Sequence, residues 1–151
     1  MDKNYTIRQM LPSDAEGNVE AINTLMQQIA LPSDTPKTPV LDNLLRTLSS
    51  EDVFVAGAFF GEELVGMAAL GTILFFHGSV GLVEDVVVNK DHRGHGLGKA
   101  LMGKIIEYAK ERKIDYLQLT SKPERVVARN MYKELGFEEI PTGFFELEVD
   151  R

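Results

Sequence analysis

A glycine-rich segment of the chain has the composition of an anion-binding loop. Its residues are Arg93, Gly94, His95, Gly96, Leu97 and Gly98. An apolar, β-branched stretch at 82–88 precedes it, and apolar residues at helical spacing follow it from 97 to 113. Glycines let a backbone come close to a ligand, and a helix start offers unpaired N–H groups at the positive end of its dipole. This order predicts a binding site for a molecule that carries phosphate.

The two commonest nucleotide-binding loops do not fit this segment. A Walker A loop requires Gly, four residues and then Gly-Lys-Ser/Thr. Gly98 and Lys99 match its end, but Ala100 stands where the magnesium-binding hydroxyl belongs and Arg93 replaces the first glycine. The dinucleotide fingerprint Gly-x-Gly-x-x-Gly fails at its last glycine from either start, where Lys99 and Leu101 stand.

The helices and strands around the loop are predicted from the spacing of apolar residues and from the positions of turn residues. Strands are expected at 5–9, 53–60, 64–76, 80–89, 116–121 and 144–149, with a short further strand near 138–140. Helices are expected at 19–29, 41–48, 97–113 and 124–135, and the proline-rich stretch 31–39 is expected to be a loop. The order predicts one mixed α/β domain over residues 1–151, built around a central sheet.

Composition narrows the class of protein. The chain has no cysteine, which excludes disulfides, thiolate metal sites and a cysteine nucleophile. Its net charge of −7, with no basic patch, argues against a nucleic-acid partner. No apolar stretch approaches the roughly 20 residues of a membrane span, and the polar start begins no signal peptide. We therefore expect a cytoplasmic protein without a membrane partner.

Two motifs together resemble the GCN5-related N-acetyltransferase (GNAT) family. The family signature Gln/Arg-x-x-Gly-x-Gly/Ala is matched by Arg93, Gly96 and Gly98. A second family element, a helix end of the form Ala-x-x-x-Tyr-x-x-x-Gly-Phe, runs from Ala128 through Tyr132 to Gly136 and Phe137. The resemblance implies the acyl-CoA N-acyltransferase fold, with six to seven strands and about four helices, and transfer of an acetyl group from acetyl-CoA.

The resemblance also implies which residues hold the coenzyme. Backbone N–H groups of the loop would bind the pyrophosphate, and the edge of the preceding strand would pair with the pantetheine arm. Many members carry Asn where this chain has Arg125, so Arg125 or Arg129 is expected to reach a coenzyme phosphate instead. The implied coenzyme-binding residues are Val86, Val87, Val88, Arg93, Gly94, His95, Gly96, Leu97, Gly98, Lys99, Arg125, Ala128, Arg129 and Tyr132.

Two side chains carry the implied chemistry. An alkylamine has a pKa near 10.4, so a base is useful, and Glu84 stands where the family often places one. Tyr132 matches the tyrosine that protonates the departing thiolate. The alternatives are a carboxylate at a sheet end paired with a cation, and a core tyrosine at a helix end. Asp85 should face away from Glu84 because neighbouring strand residues alternate.

Other chemistry-bearing residues have simpler interpretations. His92 and His95 lie three apart beside Asp91, but two histidines in a polar loop are expected to be solvated, and no metal site is predicted. Four phenylalanines of the 53–76 hairpin are expected in the core, with Phe75 or Phe76 lining a substrate pocket as the alternative; they are Phe59, Phe60, Phe75 and Phe76.

The implied reaction is direct acetyl transfer to a primary amine in a ternary complex. The acceptor is a small molecule or a peptide, chosen in the family by regions that correspond here to about 19–48 and 73–79. Dimers are common in the family. The alternatives are a catalytically silent CoA-binding regulator and transfer of a larger acyl group.

Overall fold

In the computed structural model, residues 4–30 and 40–149 are described. The loop expected at 31–39 lies outside them. The chain divides into two compact units, Met1–Leu119 and Thr120–Arg151. Among the helices of the described ranges, none combines the length and apolarity that a bilayer crossing requires.

The first unit contains a five-stranded mixed sheet. Its strands are β1 (Tyr5–Gln9), β2 (Val53–Phe60), β3 (Glu63–Phe75), β4 (Gly78–Val88) and β5 (Tyr116–Gln118). They lie in sequence order, with β1 to β4 antiparallel and β5 parallel to β4. A parallel pair needs a crossover, which the helix after β4 supplies. The expected mixed α/β sheet is confirmed.

Helices cover both faces of this sheet. On one face, Ile22 and Leu25 of α1 (Val19–Ile29) join a core cluster with Val55 of the sheet. Leu44 and Leu48 of α2 (Leu41–Ser49) pack against the same cluster.

Helix α3 (Leu97–Glu111) lies on the opposite face. Its Tyr108 stacks on Phe54 with ring centroids 4.2 Å apart, and Phe54 is the strand neighbour of Val55, so the two point to opposite faces. The face covered by α1 and α2 is called the α1/α2 face below. Helices on both faces therefore pack against the sheet that contains β4, the strand that leads into the glycine-rich loop.

The second unit has one helix, α4 (Val126–Glu134), within its described residues. The strands expected at 144–149 and near 138–140 are wrong for this structure, since the described part of 137–149 is neither helix nor strand. Alternating apolar residues make 144–149 suited to a strand, but a strand exists only where a neighbour completes its hydrogen bonds. The described sheet therefore has five strands rather than six to seven.

Candidate active site

Strand β4 is interrupted by a bulge at the predicted reaction centre. Glu84 pairs with Ala69 on β3 and Val87 with Met67, so Asp85 and Val86 together oppose the single residue Ala68. Asp85 has a φ of 55°, a left-handed conformation that costs a side chain roughly 1–2 kcal/mol. Bulges bend a strand and redirect its side chains.

Strand β4 pairs with β5 over a short stretch near its start. The parallel ladder covers Val80 to Leu82 on β4 and ends at Gln118 on β5. In the described structure, the stretch 83–88 has no β5 partner and leaves that edge of β4 open. Val86, Val87 and Val88, the residues expected to pair with pantetheine, all lie on this open stretch.

Glu84 lies on the α1/α2 face, because its cross-strand partner Ala69 packs against the core cluster there. Its side chain reaches solvent and has no hydrogen bond or ion pair within the described residues. Partial burial, together with the negative charge of Asp85, raises the pKa of the Glu84 carboxyl. Burial also raises the pKa of the half-buried Asp85. A carboxylate with a raised pKa and no partner is a stronger base than an ordinary surface glutamate.

The glycine-rich loop presents an open backbone. Gly94 and Gly96 have φ values of 83° and 75°, and a Cβ added at either would meet no atom within 4 Å. Gly96 precedes the first residue of α3 and, as a glycine, has no side chain of its own to cap this helix start. The N–H groups of the first turn are therefore available to an anion, which fits the pyrophosphate of a coenzyme.

Hydrogen bonds from three parts of the chain anchor the loop. The Lys90 N–H donates to the Gln28 side chain of α1 at 2.8 Å, and the Arg93 Nε donates to the Val88 carbonyl at 3.0 Å. Arg93 is one of the implied coenzyme-binding residues, and in the structure its side chain also closes the turn from β4 into α3. These hydrogen bonds attach the loop to α1 and to the end of β4.

Tyr5 supplies the third anchor, which sequence reasoning missed. Its hydroxyl lies 3.0 Å from His92 Nδ1, and its ring lies 5.3 Å from the His95 ring. Phe60, the cross-strand partner of Tyr5, lies 5.5 Å from the His92 ring. The expectation that both histidines are solvated is therefore wrong for His92, which is half-buried among aromatic rings. No local signal connects Tyr5 with His92, 87 positions away.

In the second unit, the Tyr132 motif is a helix C-cap. The Phe137 N–H donates to the Tyr132 carbonyl at 3.0 Å, and the Gly136 N–H donates to the Lys133 carbonyl at 3.0 Å. This is the Schellman arrangement, and it needs Gly136 at its φ of 95°. The rings of Phe137 and Tyr132 meet at 5.9 Å, so the Gly-Phe pair fixes the tyrosine ring. Burial raises the pKa of Tyr132, which keeps its phenol protonated.

The two predicted arginines of this unit differ. The Arg129 guanidinium donates to the Ser121 carbonyl at 2.8 Å and to the Glu139 carboxylate at 2.7 Å. Those bonds organise the unit itself and leave Arg129 poorly suited to a coenzyme phosphate. Arg125 is half-buried at the N-cap of α4, with Ala128 in the first turn after it. Arg125 is thus the better candidate for the phosphate.

The structure sorts the predicted residues into two sets. Glu84, the open stretch of β4 and the loop through Lys99 form a continuous strand–loop–helix arrangement in the first unit. Arg125, Ala128 and Tyr132 share α4 in the second unit, with Ala128 and Tyr132 one turn apart on the same side of the helix.

Proteins of similar sequence include two acetyltransferases. The chain is 33% identical over 101 residues to an uncharacterized N-acetyltransferase of Gracilaria tenuistipitata var. liui, covering 64% of this chain and 52% of the relative. It is 32% identical over 89 residues to streptothricin acetyltransferase of Escherichia coli, covering 59% of this chain and 49% of that protein. The chain thus spans about half the length of these relatives.

Solved structures match over nearly the whole chain. An aminoglycoside acetyltransferase from an uncultured soil metagenomic sample has a TM-score of 0.82 at 22% identity, covering 99% of this chain and 100% of that one. A transcriptional regulator from Bacillus halodurans C-125 has a TM-score of 0.76 at 25% identity, covering 96% and 99%. The acetyltransferase match shows the fold alone. The profile of the acetyltransferase (GNAT) family matches residues 20–137, and the chain therefore belongs to this family.

Proposed function

We propose that this protein transfers an acetyl group from acetyl-CoA to a primary amine, by direct attack within a ternary complex. The observation that carries the proposal is the bulge of β4 with its open edge, which leads directly into the uncapped glycine-rich start of α3. The family to which the chain belongs uses acetyl-CoA. We further propose that the whole chain, residues 1–151, serves as one acetyltransferase domain.

In this proposal the coenzyme is held by backbone more than by side chains. N–H groups from Arg93 to Lys99 bind the pyrophosphate, because the open glycines let its oxygens approach. The open edge at Val86 to Val88 pairs with the amides of the pantetheine arm, as an added strand would. Arg125 contributes a positive charge for a coenzyme phosphate.

Acetyl-CoA supplies the acetyl group as a thioester. Glu84 accepts a proton from the ammonium form of the acceptor, since only the neutral amine has a lone pair for attack. A backbone N–H near Val87 stabilises the charge that develops on the carbonyl oxygen. As the carbon–nitrogen bond forms and the carbon–sulfur bond breaks, Tyr132 donates its phenolic proton to the departing thiolate. No acyl-enzyme is required, in keeping with the absence of cysteine.

A second candidate is a CoA-binding regulator without catalysis. The structural similarity to a transcriptional regulator favours it. The raised pKa of the unpaired Glu84 and the protonated, ring-fixed Tyr132 favour an enzyme, because a regulator needs neither. Transfer of a larger acyl group by the same machinery is a variant of the main proposal.

The test is release of CoA from acetyl-, propionyl- and succinyl-CoA with a panel of primary amines. We expect turnover with acetyl-CoA, and a loss of about tenfold or more in kcat for Tyr132→Phe with KM for acetyl-CoA unchanged. Tyr108→Phe, on α3 where its ring stacks on Phe54, is the matched control and should retain wild-type turnover. Binding of CoA without turnover across the panel would favour the regulator.

A further inference from the structure

We propose that the acceptor is a primary amine carried on an uncharged apolar body, such as an arylalkylamine or alkylamine. The apolar body would bind on the α1/α2 face of the sheet, beside Glu84. This inference rests on the proposed acetyltransferase function and names the substrate class for it.

Strand register identifies the side chains next to Glu84 on this face. In the adjoining row, Gly71 of β3 pairs with Leu82 of β4, which pairs with Gln118 of β5. Residues two apart along a strand share a face, so this row lies on the same side as Glu84. Its three residues carry no charge.

The following row is also neutral. Ile73 pairs with Val80, which pairs with Tyr116. Leu82, Ile73 and Tyr116 are 36%, 41% and 63% exposed, which is unusual for large side chains grouped on one sheet face. The apolar surface therefore starts beside the predicted base and continues away from it.

The far end of this surface is Phe75, which was expected in the core but is 50% exposed. It shares the face with Ile73, two residues before it, and stacks on His77 with ring centroids 5.4 Å apart. Phe76 is fully exposed and Phe60 is 39% exposed, so the core expectation is wrong for Phe60, Phe75 and Phe76 and is confirmed for Phe59. The alternative expectation, that Phe75 lines a substrate pocket, agrees with its place on this surface.

One charged group near the surface, Asp115, is already engaged. The Asp115 carboxylate accepts hydrogen bonds from the Ser79 N–H at 2.8 Å and from its hydroxyl at 3.2 Å. Within the described rows of β3, β4 and β5 on this face, Glu84 is the charged residue. One carboxylate suits one amino group, whereas a polycationic acceptor would place further ammonium groups against apolar side chains and lose their hydration.

Gly71 leaves space on the surface next to Glu84. A Cβ at this position would meet no atom within 4 Å, and its backbone is not in the left-handed region. The space adjoins Leu82 directly and Ile73 along the strand. A methylene or aryl group attached to the acceptor amine would fill it, and each methylene group buried there should raise kcat/KM about fourfold.

The first experiment compares kcat/KM of the wild-type protein for hexylamine, propylamine, phenethylamine, ethanolamine, spermidine and sisomicin. We expect hexylamine and phenethylamine to exceed propylamine and ethanolamine by tenfold or more, and both polycations to be poorer still. Higher kcat/KM for spermidine or sisomicin than for phenethylamine would overturn this inference but leave the proposed function standing. Absence of turnover with every amine, while CoA still binds, would overturn the proposed function itself.

The second experiment fills the space. We expect Gly71→Leu to raise KM for phenethylamine about tenfold with KM for acetyl-CoA unchanged, and Gly103→Leu, on the exposed side of α3, to change neither. Leu82→Glu should move the preference from phenethylamine towards spermidine, a gain that a folding defect cannot produce. An unchanged KM for phenethylamine in Gly71→Leu, or an unchanged amine preference in Leu82→Glu, would overturn the inference.

Discussion

The two halves of β4 differ in their hydrogen bonding and in the regularity of their backbone. The first half, from Val80 to Leu82, is hydrogen-bonded to β3 on one side and β5 on the other, and its side chains are apolar or small. The second half, from 83 to 88, contains a bulge, a strained aspartate and an edge that β5 leaves open. Residues 89–96 then form the loop that leads into α3.

The difference shows how one strand serves both stability and chemistry. Ladder bonds on both sides hold the first half in place, so it positions the second half without taking part in the reaction. The second half lacks ladder bonds to β5 and contains the strained Asp85. We infer that these two features make its backbone and its carboxylates accessible to ligands. Strain of this kind persists only where surrounding structure supports it.

The largest effect that would test this comparison is loss of the base. For Glu84→Gln we expect kcat to fall roughly 10²–10⁴-fold, the usual contribution of a general base, with unchanged affinity for CoA. Glu63→Gln, at the exposed start of β3, is the control. A kcat within twofold of wild type would show that the bulged half does not supply the base.

A smaller effect is expected from the loop that follows the bulged half. Gly96→Ala forces a side chain into the left-handed conformation, at about 1–2 kcal/mol, and should weaken CoA binding about tenfold by calorimetry. Gly103→Ala places the same methyl group on the exposed side of α3 and should leave binding unchanged. Equal affinity in both variants would contradict the role given to Gly96.

The anchor at Tyr5 should have a weaker effect. Removing its hydroxyl in Tyr5→Phe deletes one hydrogen bond of about 1 kcal/mol, so we expect KM for acetyl-CoA to rise about fivefold at constant kcat. His92→Asn retains an acceptor near the Nδ1 position and should resemble wild type, whereas His92→Leu should resemble Tyr5→Phe. Equal KM values for acetyl-CoA in His92→Asn and His92→Leu would contradict the anchoring role of the hydrogen bond between Tyr5 and His92.

The smallest effect concerns the pair of carboxylates at the bulge. Burial and the charge of Asp85 raise the pKa of Glu84. The acid limb of the pH profile of kcat/KM should therefore lie at a higher pH than it would for a glutamate of ordinary pKa. Removing the like charge in Asp85→Asn lowers the pKa of Glu84, and the acid limb should therefore move to lower pH. A limb that moves to higher pH, or does not move, would contradict the coupling of the two residues.

Local pattern predicted much of this fold. The bounds of α1 and β2 were predicted from hydrophobic spacing, because periodicity is set within the segment itself. The glycine-rich loop and the start of α3 were predicted for the same reason. The helix end at Gly136 was also recognised, although its detailed role in fixing Tyr132 needed the structure.

What sequence could not provide depends on distant partners. Nothing near Asp85 signals that it shares a bulge opposite Ala68, since that depends on the register with β3. The hydrogen bonds from Arg129 to Glu139 and Ser121 likewise could not be predicted from the sequence. The alternation in 144–149 predicted a strand that has no partner in the described structure, because pairing is not a property of one segment.

The most direct test of the central claim is amide hydrogen exchange along β4 with and without CoA. If the open edge of the second half binds the coenzyme, exchange at Val86 to Val88 and at the loop N–H groups should slow on adding CoA. Exchange at Val80 to Leu82, already bonded on both sides, should change little. Unchanged exchange in the second half, at a CoA concentration that saturates binding, would contradict the account.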